Sequence, residues 1–370
     1  MIIYLASFIF CILLHYFSEK SKSRLARNFL IFIPLLWLAL LAGFRDFGVG
    51  TDTEFYSDAY FKAALKSSGF VDLLTSEYEI RVQNKGYLVL NYIGTFFLDD
   101  IFIAWFLTEL LILTCTYVAV LKMKKMYDLR IYLFSIIYLF AFYNVSLNIM
   151  RQMCALSILL LSYVYYLEKK RIATLLLFFI AISFHTTSGI FVLAFLYDYL
   201  SKTKHKMVLL FAIVCILFIG LITYYQLLMF LGNMGVFSEV YMDRYGESSE
   251  YEGVRVPYAF VCVAFMIYIG IYLAYKKRML LNCESFFVLL IHSSFLILMT
   301  MNFLAETLIR LSFYFYAVDL LYVAIMMTSK RRSKLFNIAF VSIIIIMWGY
   351  SYMYLNGNAT YPYKSKILGI

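Results

Sequence analysis

The segment Gly43-Phe44-Arg45-Asp46-Phe47-Gly48-Val49-Gly50-Thr51-Asp52-Thr53-Glu54-Phe55-Tyr56 sets a guanidinium, two aspartates and two loop glycines directly behind an apolar run. Charge at bilayer depth is costly, so a functional site is the default reading. Arg suits oxyanions, because its planar donor fork stays charged and matches phosphate geometry. Asp52 is a candidate base for drawing a proton from an attacking hydroxyl. The same residue types recur at other span ends. Arg151-Gln152 opens an apolar run, where a cation opposes the helix dipole and is a poor structural choice. His185 follows another run and is the second candidate base.

Arg255 lies in a polar loop, 232–256, and Glu306 and Arg310 sit four apart at a later span end. Asp52, His185 and Arg151 are therefore the catalytic candidates. Arg45, Gln152, Arg255, Glu306 and Arg310 are the candidates for holding substrate. Several arginines around a membrane-level cavity point to a lipid-borne phosphate or pyrophosphate, and preorganised cations would neutralise charge on its departure. A carboxylate among arginines holds a proton weakly, which keeps His185 open beside Asp52.

Each candidate also has a plainer reading. Asp46 could cap a helix or pair with Arg45, and Gly48 and Gly50 could be turn residues only. Glu306 and Arg310 could pair on one helix face. His185 could be a hydrogen-bonded packing residue. The stronger signal is convergence, since nearly every such group falls on one side of the proposed membrane.

The elements that would position them are spans of about 20 apolar residues. Apolar runs cover 2–17, 28–43, 101–121, 131–147, 151–167, 171–184, 187–200, 207–231, 257–275, 284–301, 310–328 and 335–355. The sequence predicts an all-α, polytopic integral membrane protein with about twelve transmembrane helices. The closely linked pairs 131–147 with 151–167 and 171–184 with 187–200 suit broken or re-entrant helices lining a cavity. Residues 86–98 are too short to cross and read as a surface or re-entrant helix. Residues 55–74 read as short amphipathic outer helices, with Phe55, Ala59, Leu65, Leu73 and Leu74 as apolar positions. With no repeat or linker, 1–370 reads as a single transmembrane domain, with the outer segment 44–100 and the loop 232–256 contributing to its cleft.

Most of the 32 cationic residues cluster in alternating short loops, around Lys20–Arg27, Lys122–Arg130, Lys169–Arg171, Lys202–Lys206, Lys276–Arg278 and Lys330–Lys334. By the positive-inside rule these loops face the cytoplasm, and both termini lie outside. The net charge of +10 is then a topology signal and not a sign of nucleic-acid binding.

Composition agrees with this class. Apolar residues make up 64% of the chain and charged ones 15%, against roughly 45–50% and 25% in soluble domains. The six cysteines form no C-x-x-C pair and read as small buried hydrophobes. The four histidines lack zinc-site spacing, and no nucleotide-binding loop is present, so no cofactor is called for. The first apolar run lacks a basic leader and a cleavage site, and reads as a span.

The chain resembles the EpsG/Wzy-type family of membrane polysaccharide polymerases from capsule, exopolysaccharide and O-antigen loci. The resemblance rests on Gly43-x-Arg45 with Val49-Gly50-Thr51-Asp52-Thr53 and Tyr56, on Arg151-Gln152-x-x-Ala155, on Phe184-His185-Thr186, on Glu306-x-x-x-Arg310 and on a Tyr-Pro-Tyr tail. It covers most of the chain in order. It implies a glycosyltransferase at the outer face of the bacterial inner membrane. Such an enzyme joins undecaprenyl-pyrophosphate-linked oligosaccharide donor and acceptor without a nucleotide sugar or metal, in company with the bilayer and a chain-length regulator protein. The broad plan is similar to lipid-linked transferases of the GT-C class, by analogy of fold alone. The competing readings are a lipid-linked oligosaccharide flippase and an O-antigen ligase. A transporter should place polar groups at mid-membrane depth, whereas the charges here crowd one mouth. A membrane O-acyltransferase would want its His nearer the cytoplasm.

Overall fold

The computed structural model describes residues 2–76, 84–201, 208, 230, 305–328 and 334–370. Apart from residues 208 and 230, the expected span 207–231 lies outside the described residues, as do the spans 257–275 and 284–301, the loop 232–256 with Arg255, and the basic clusters at 202–206, 276–278 and 330–332. The described part is helical, with no strand among the described residues.

The helices are α1 (Ile2–Lys20), α2 (Arg24–Gly43), α3 (Asp58–Lys66), α4 (Phe70–Thr75), α5 (Lys85–Thr95), α6 (Ile101–Met126) and α7 (Ile131–Ser146). They continue with α8 (Met150–Leu167), α9 (Arg171–Phe184), α10 (Val192–Ser201), α11 (Ala305–Thr328) and α12 (Lys334–Gly349). Among the described residues, six stretches are long and apolar enough to cross a membrane: α1, α2, α6, α8, Arg310–Thr328 and Asn337–Tyr354. This is a multi-pass membrane protein.

Two of the expected irregularities are present. The run 131–147 is interrupted by a π-turn at Leu139–Tyr143. The run 187–200 begins as a 3-10 turn, Thr186–Phe191, before α10. Helix α9 has 14 residues, short for a crossing. Residues 86–98 form α5, an 11-residue helix packed on α3, α6 and α9, with Phe96 and Phe97 exposed beyond its end.

In the amphipathic segment the apolar positions divide between an exposed and a buried set. Phe55, Leu65 and Leu74 are exposed, and the buried positions are Tyr60, Phe61, Ala63, Ala64 and Leu73. The helical phase is broken twice there, by a π-turn at Thr53–Ser57 and a gap at Ser67–Gly69, so one period cannot run through it. The exposed apolar side suits a helix lying in a bilayer interface.

Two compact units form: Met1–Gly189 with Ala317–Ile370, and Ile190–Tyr316. In the second unit, Phe191 stacks on Phe315 at 5.6 Å and meets Phe195 edge-on. The first unit has α8 at its centre, buried along most of its length. Helix α6 packs on both α2 and α8, α9 packs on α8, and α1 packs on α2 and α7. Helix α1 buries Tyr4, Phe8, Cys11, His15 and Ser18, a stripe at the helical period. His15 Nε2 donates to the Ile31 carbonyl and its Nδ1 lies 2.6 Å from Ser135 Oγ, joining α1 to α2 and α7. Ser23 caps α2, and Asp100 caps α6.

Ion pairs mark one end of this unit. Lys124 meets Glu19 at 3.1 Å, and Lys122 and Lys170 both meet Glu168. The Arg130 N–H donates to Thr328 Oγ1 at the same end. The basic loops 20–27, 122–130 and 169–171 thus gather together, as the alternation of charge requires. At the opposite end, the loop 44–52, the junction 147–151 and the C-terminal tail meet.

Candidate active site

The loop after α2 is held by its own backbone. Gly48 and Gly50 have φ of 85° and 96°, a region where only glycine is unstrained. A Cβ on Gly50 would also lie 2.5 Å from the Leu147 carbonyl oxygen. The Thr53 hydroxyl donates to Gly50 O at 2.6 Å and accepts from the Gly48 N–H at 3.2 Å, and Val49 is buried beneath the turn. This winding points Thr51 and Asp52 at the junction between α7 and α8.

Asn148 receives them there. Its Oδ1 accepts from the Thr51 hydroxyl at 2.9 Å and from the Asp52 N–H at 3.0 Å. Its Nδ2 donates to Asn358 Oδ1 at 3.1 Å, which brings in the tail. Asp52 is half-buried, and its carboxylate does not cap the π-turn that follows.

Arg151 stands three residues beyond Asn148, in the first turn of α8. Its guanidinium lies 4.0 Å over the Tyr56 ring and 5.5 Å from the Tyr60 ring. The Tyr60 hydroxyl accepts from Arg151 Nη1 at 3.4 Å and from the Asn84 N–H at 2.8 Å. Asp52 lies within electrostatic reach of Arg151. A cation at a helix start is thus held by aromatic faces and a carboxylate, which offset the unfavourable dipole. The structure brings Asp52 and Arg151 together, from positions far apart in sequence.

Arg45 takes a different place. It is buried, with Nη1 on Ala42 O, Nη2 on Leu147 O and Met150 Sδ, and its plane 4.7 Å over Trp105. It does not pair with Asp46. Asp46 donates its N–H to Lys364 O and accepts from the Lys366 N–H, so it fastens the tail. Burial holds the Arg45 pKa below its ordinary value, and the Glu109 carboxylate works against that.

The tail closes the arrangement. The Gly50 N–H donates to Ala359 O, the Tyr363 hydroxyl donates to Leu41 O at 2.8 Å, and the Ser365 hydroxyl donates to Phe44 O. Burial pushes the Tyr363 phenol up to about 12, so it remains a donor at any physiological pH.

Gln152 is buried beside Arg151. His185 lies just beyond the end of α9. Its Nδ1 lies 2.7 Å from Thr187 Oγ1, and the helix end before it packs on Gly86, next to Asn84 and so to Tyr60. Glu306 and Arg310 lie in the first turns of α11, within the second unit, where Arg310 is half-buried.

Four residues of this end carry no signal strong enough to be chosen from the sequence by themselves: Tyr56, Tyr60, Asn148 and Glu109. Tyr56 is marked only as the last residue of the 43–56 segment, and Tyr60 only by standing four residues on, the spacing of one helix face. Glu109 is more visible, being the sole charge between Ile101 and Val120.

Comparison with known proteins gives one result. The model of the EpsG family matches residues 28–365, nearly the whole chain, while no curated protein and no solved structure matches. The match spans the loop after α2, the α7–α8 junction and the C-terminal tail together, and the chain belongs to the EpsG family.

Proposed function

We propose that this protein is a Wzy-type polymerase, a glycosyltransferase that joins undecaprenyl-pyrophosphate-linked repeat units into capsule, exopolysaccharide or O-antigen. The family comprises Wzy-type polymerases. The observation that carries the reading is the meeting of Asp52 with Arg151 at one end of the span bundle, opposite the basic loops. On this reading about twelve spans cross the inner membrane, the basic loops face the cytoplasm, and the site opens outward.

The reaction is a displacement at the anomeric carbon of the donor's first sugar. A hydroxyl oxygen of the acceptor bonds to that carbon, and the bond from the carbon to the pyrophosphate oxygen breaks. The hydroxyl proton passes to Asp52, or to His185. The electron pair leaves with undecaprenyl pyrophosphate, whose charge Arg151 neutralises. Arg151 suits this role because Tyr56 and Tyr60 hold its guanidinium before substrate arrives, so little reorganisation is needed. Gln152, Arg255, Glu306 and Arg310 contribute to substrate binding.

The test is glycan length in a deletion strain complemented with wild type or Arg151→Ala. Wild type should restore long chains, and the variant, at equal membrane abundance, should leave single repeat units on the outer leaflet. Long chains of normal length with Arg151→Ala would overturn its role. Repeats trapped on the inner leaflet of the deletion strain would instead identify a flippase, and long unattached chains a ligase.

A further inference from the structure

Helix α6 is uncharged from Ile101 to Val120 except at Glu109, which is 2% exposed. Its neighbour one turn earlier on the same face is Trp105, the ring that Arg45 covers at 4.7 Å. Arg45 and Glu109 are thus both buried beside Trp105, and the Glu109 field acts on Arg45. They form no direct ion pair among the described residues. Arg45 Nε and Glu109 Oε1 are both buried without a hydrogen-bond partner. A buried charge with no countercharge is strongly disfavoured, so each of these groups depends on the other.

What Arg45 does with its remaining donors gives this dependence a consequence. Nη2 reaches Leu147 O and Met150 Sδ, the residues immediately before Asn148 and Arg151. Arg45 therefore holds the α7–α8 junction that carries Asn148 and Arg151. It also stands just beyond the end of α2, at the end of a stretch long and apolar enough to span. Without a countercharge below it, a long cationic side chain at that level would extend towards water and leave Leu147.

We infer that Glu109 is a positioning residue: its negative charge seats Arg45 on the α7–α8 junction and so fixes Asn148 and Arg151 for reaction. This rests on the reading of Asp52 and Arg151 as the active site. The effect runs through charge and through Arg45, and not through the shape of the Glu109 side chain.

The experiment compares Glu109→Gln, Glu109→Asp, Arg45→Met and Arg45→Met/Glu109→Gln in the deletion strain, at matched membrane abundance. Glu109→Gln, nearly isosteric but neutral, should lower long-chain product by about tenfold or more, while Glu109→Asp should stay within about threefold of wild type. In the Arg45→Met background the same Gln substitution should change product less than about twofold. A second readout needs no activity. A disulfide between Thr51→Cys and Asn148→Cys, whose side chains touch in the native protein, should form in lower yield with Glu109→Gln.

Equal losses in both backgrounds, or an unchanged disulfide yield, would overturn the inference. If Glu109→Gln does not accumulate in the membrane, the neutral double variant should accumulate, and its equal loss would also overturn it. If wild type itself extends no chains, the polymerase reading fails, while the disulfide yield still decides the role of Glu109.

Discussion

Asn148 holds Asp52 by the backbone, its Oδ1 accepting the Asp52 N–H at 3.0 Å, so the Asp52 carboxylate is positioned without being consumed by that bond. The same oxygen takes the Thr51 hydroxyl, and the amide nitrogen reaches Asn358. One side chain therefore joins the loop, the α8 start and the tail. Asn148→Ala removes three hydrogen bonds, each worth about 0.5–1.5 kcal/mol. The variant should insert normally, melt lower in detergent and lose chain extension. Asn148→Asp keeps the acceptor but loses the bond to Asn358 and sets a negative charge beside Asp52, and should fail as well. Thermal unfolding of the purified protein together with glycan length checks both.

Gly50 and Gly48 should differ when each is replaced by Ala. Both have positive φ, which costs a non-glycine residue about 1–2 kcal/mol. At Gly48 the nearest atom to a new Cβ is the flexible Glu54 carboxylate, at 3.6 Å. At Gly50 it is the Leu147 carbonyl at 2.5 Å, which must move and carry the Arg45 contact with it. Gly50→Ala should abolish chain extension, and Gly48→Ala should reduce it. Equal activity of the two variants would show that the approach to Leu147 is not limiting.

How much of this could be read in advance differs between the two ends of the unit. The all-helical membrane class and the gathering of basic loops followed from hydropathy and charge, because a bilayer imposes length and sidedness on any span. The pairing of the 45–56 loop with Arg151 was also legible, since charge beside an apolar run is its own signal. The inward turn of Arg45 was not. Sequence shows that a cation stands at a span end, but its direction depends on Trp105 and Glu109, two turns inside another helix. Which apolar residues of 55–74 turn into the protein was not legible for a related reason, since a π-turn shifts every later residue around the helix. Asn148 is a short polar residue of ordinary type, and only the meeting of three chain segments gives it a role.

The tail is a structural member of the site. Ending the chain at Thr360 would remove the bonds of Tyr363 to Leu41, Ser365 to Phe44, and Lys364 and Lys366 to Asp46. The spans do not depend on these bonds, so the shortened protein should reach the membrane. The 44–52 loop should become accessible to proteases and thiol probes, and chain extension should fall below detection. Tyr363→Phe removes one buried hydrogen bond, costs about 1 kcal/mol, and should give an intermediate phenotype.

The short helix α4 carries a pH dependence of defined sign. Asp72 accepts from the Ser76 hydroxyl, from the Ser68 N–H and hydroxyl, and from the Ser67 hydroxyl. These bonds, that from Ser76 first, hold its pKa below the ordinary carboxylate value. A depressed folded-state pKa contributes stability that is complete above the unfolded value, about 3.9, and is lost as pH falls through the folded value. Amide exchange of residues 67–76, corrected for intrinsic rate, should show constant protection from neutral pH down to that region and a fall below it. Asp72→Asn should show weak protection throughout.

Arg151→Lys separates charge from geometry at the centre of the proposed reaction. Lysine keeps the positive charge but lacks the flat fork that lies on Tyr56 at 4.0 Å and reaches the Tyr60 hydroxyl. If charge alone neutralises the departing pyrophosphate, Arg151→Lys should extend chains nearly as wild type does. The arrangement argues otherwise, because the rings of Tyr56 and Tyr60 fix a plane that an ammonium group cannot occupy. The Lys variant should therefore accumulate in the membrane yet extend chains at least about tenfold less, which corresponds to about 1.4 kcal/mol of transition-state stabilisation. Tyr60→Phe keeps the ring and removes the hydroxyl that receives Arg151 and the Asn84 N–H, so it should lose less than Arg151→Lys. Tyr56→Leu, which removes the closer face, should lose more than Tyr60→Phe. The reverse order of the two tyrosine variants would show that Arg151 is held by its hydrogen bond and not by the stacked ring.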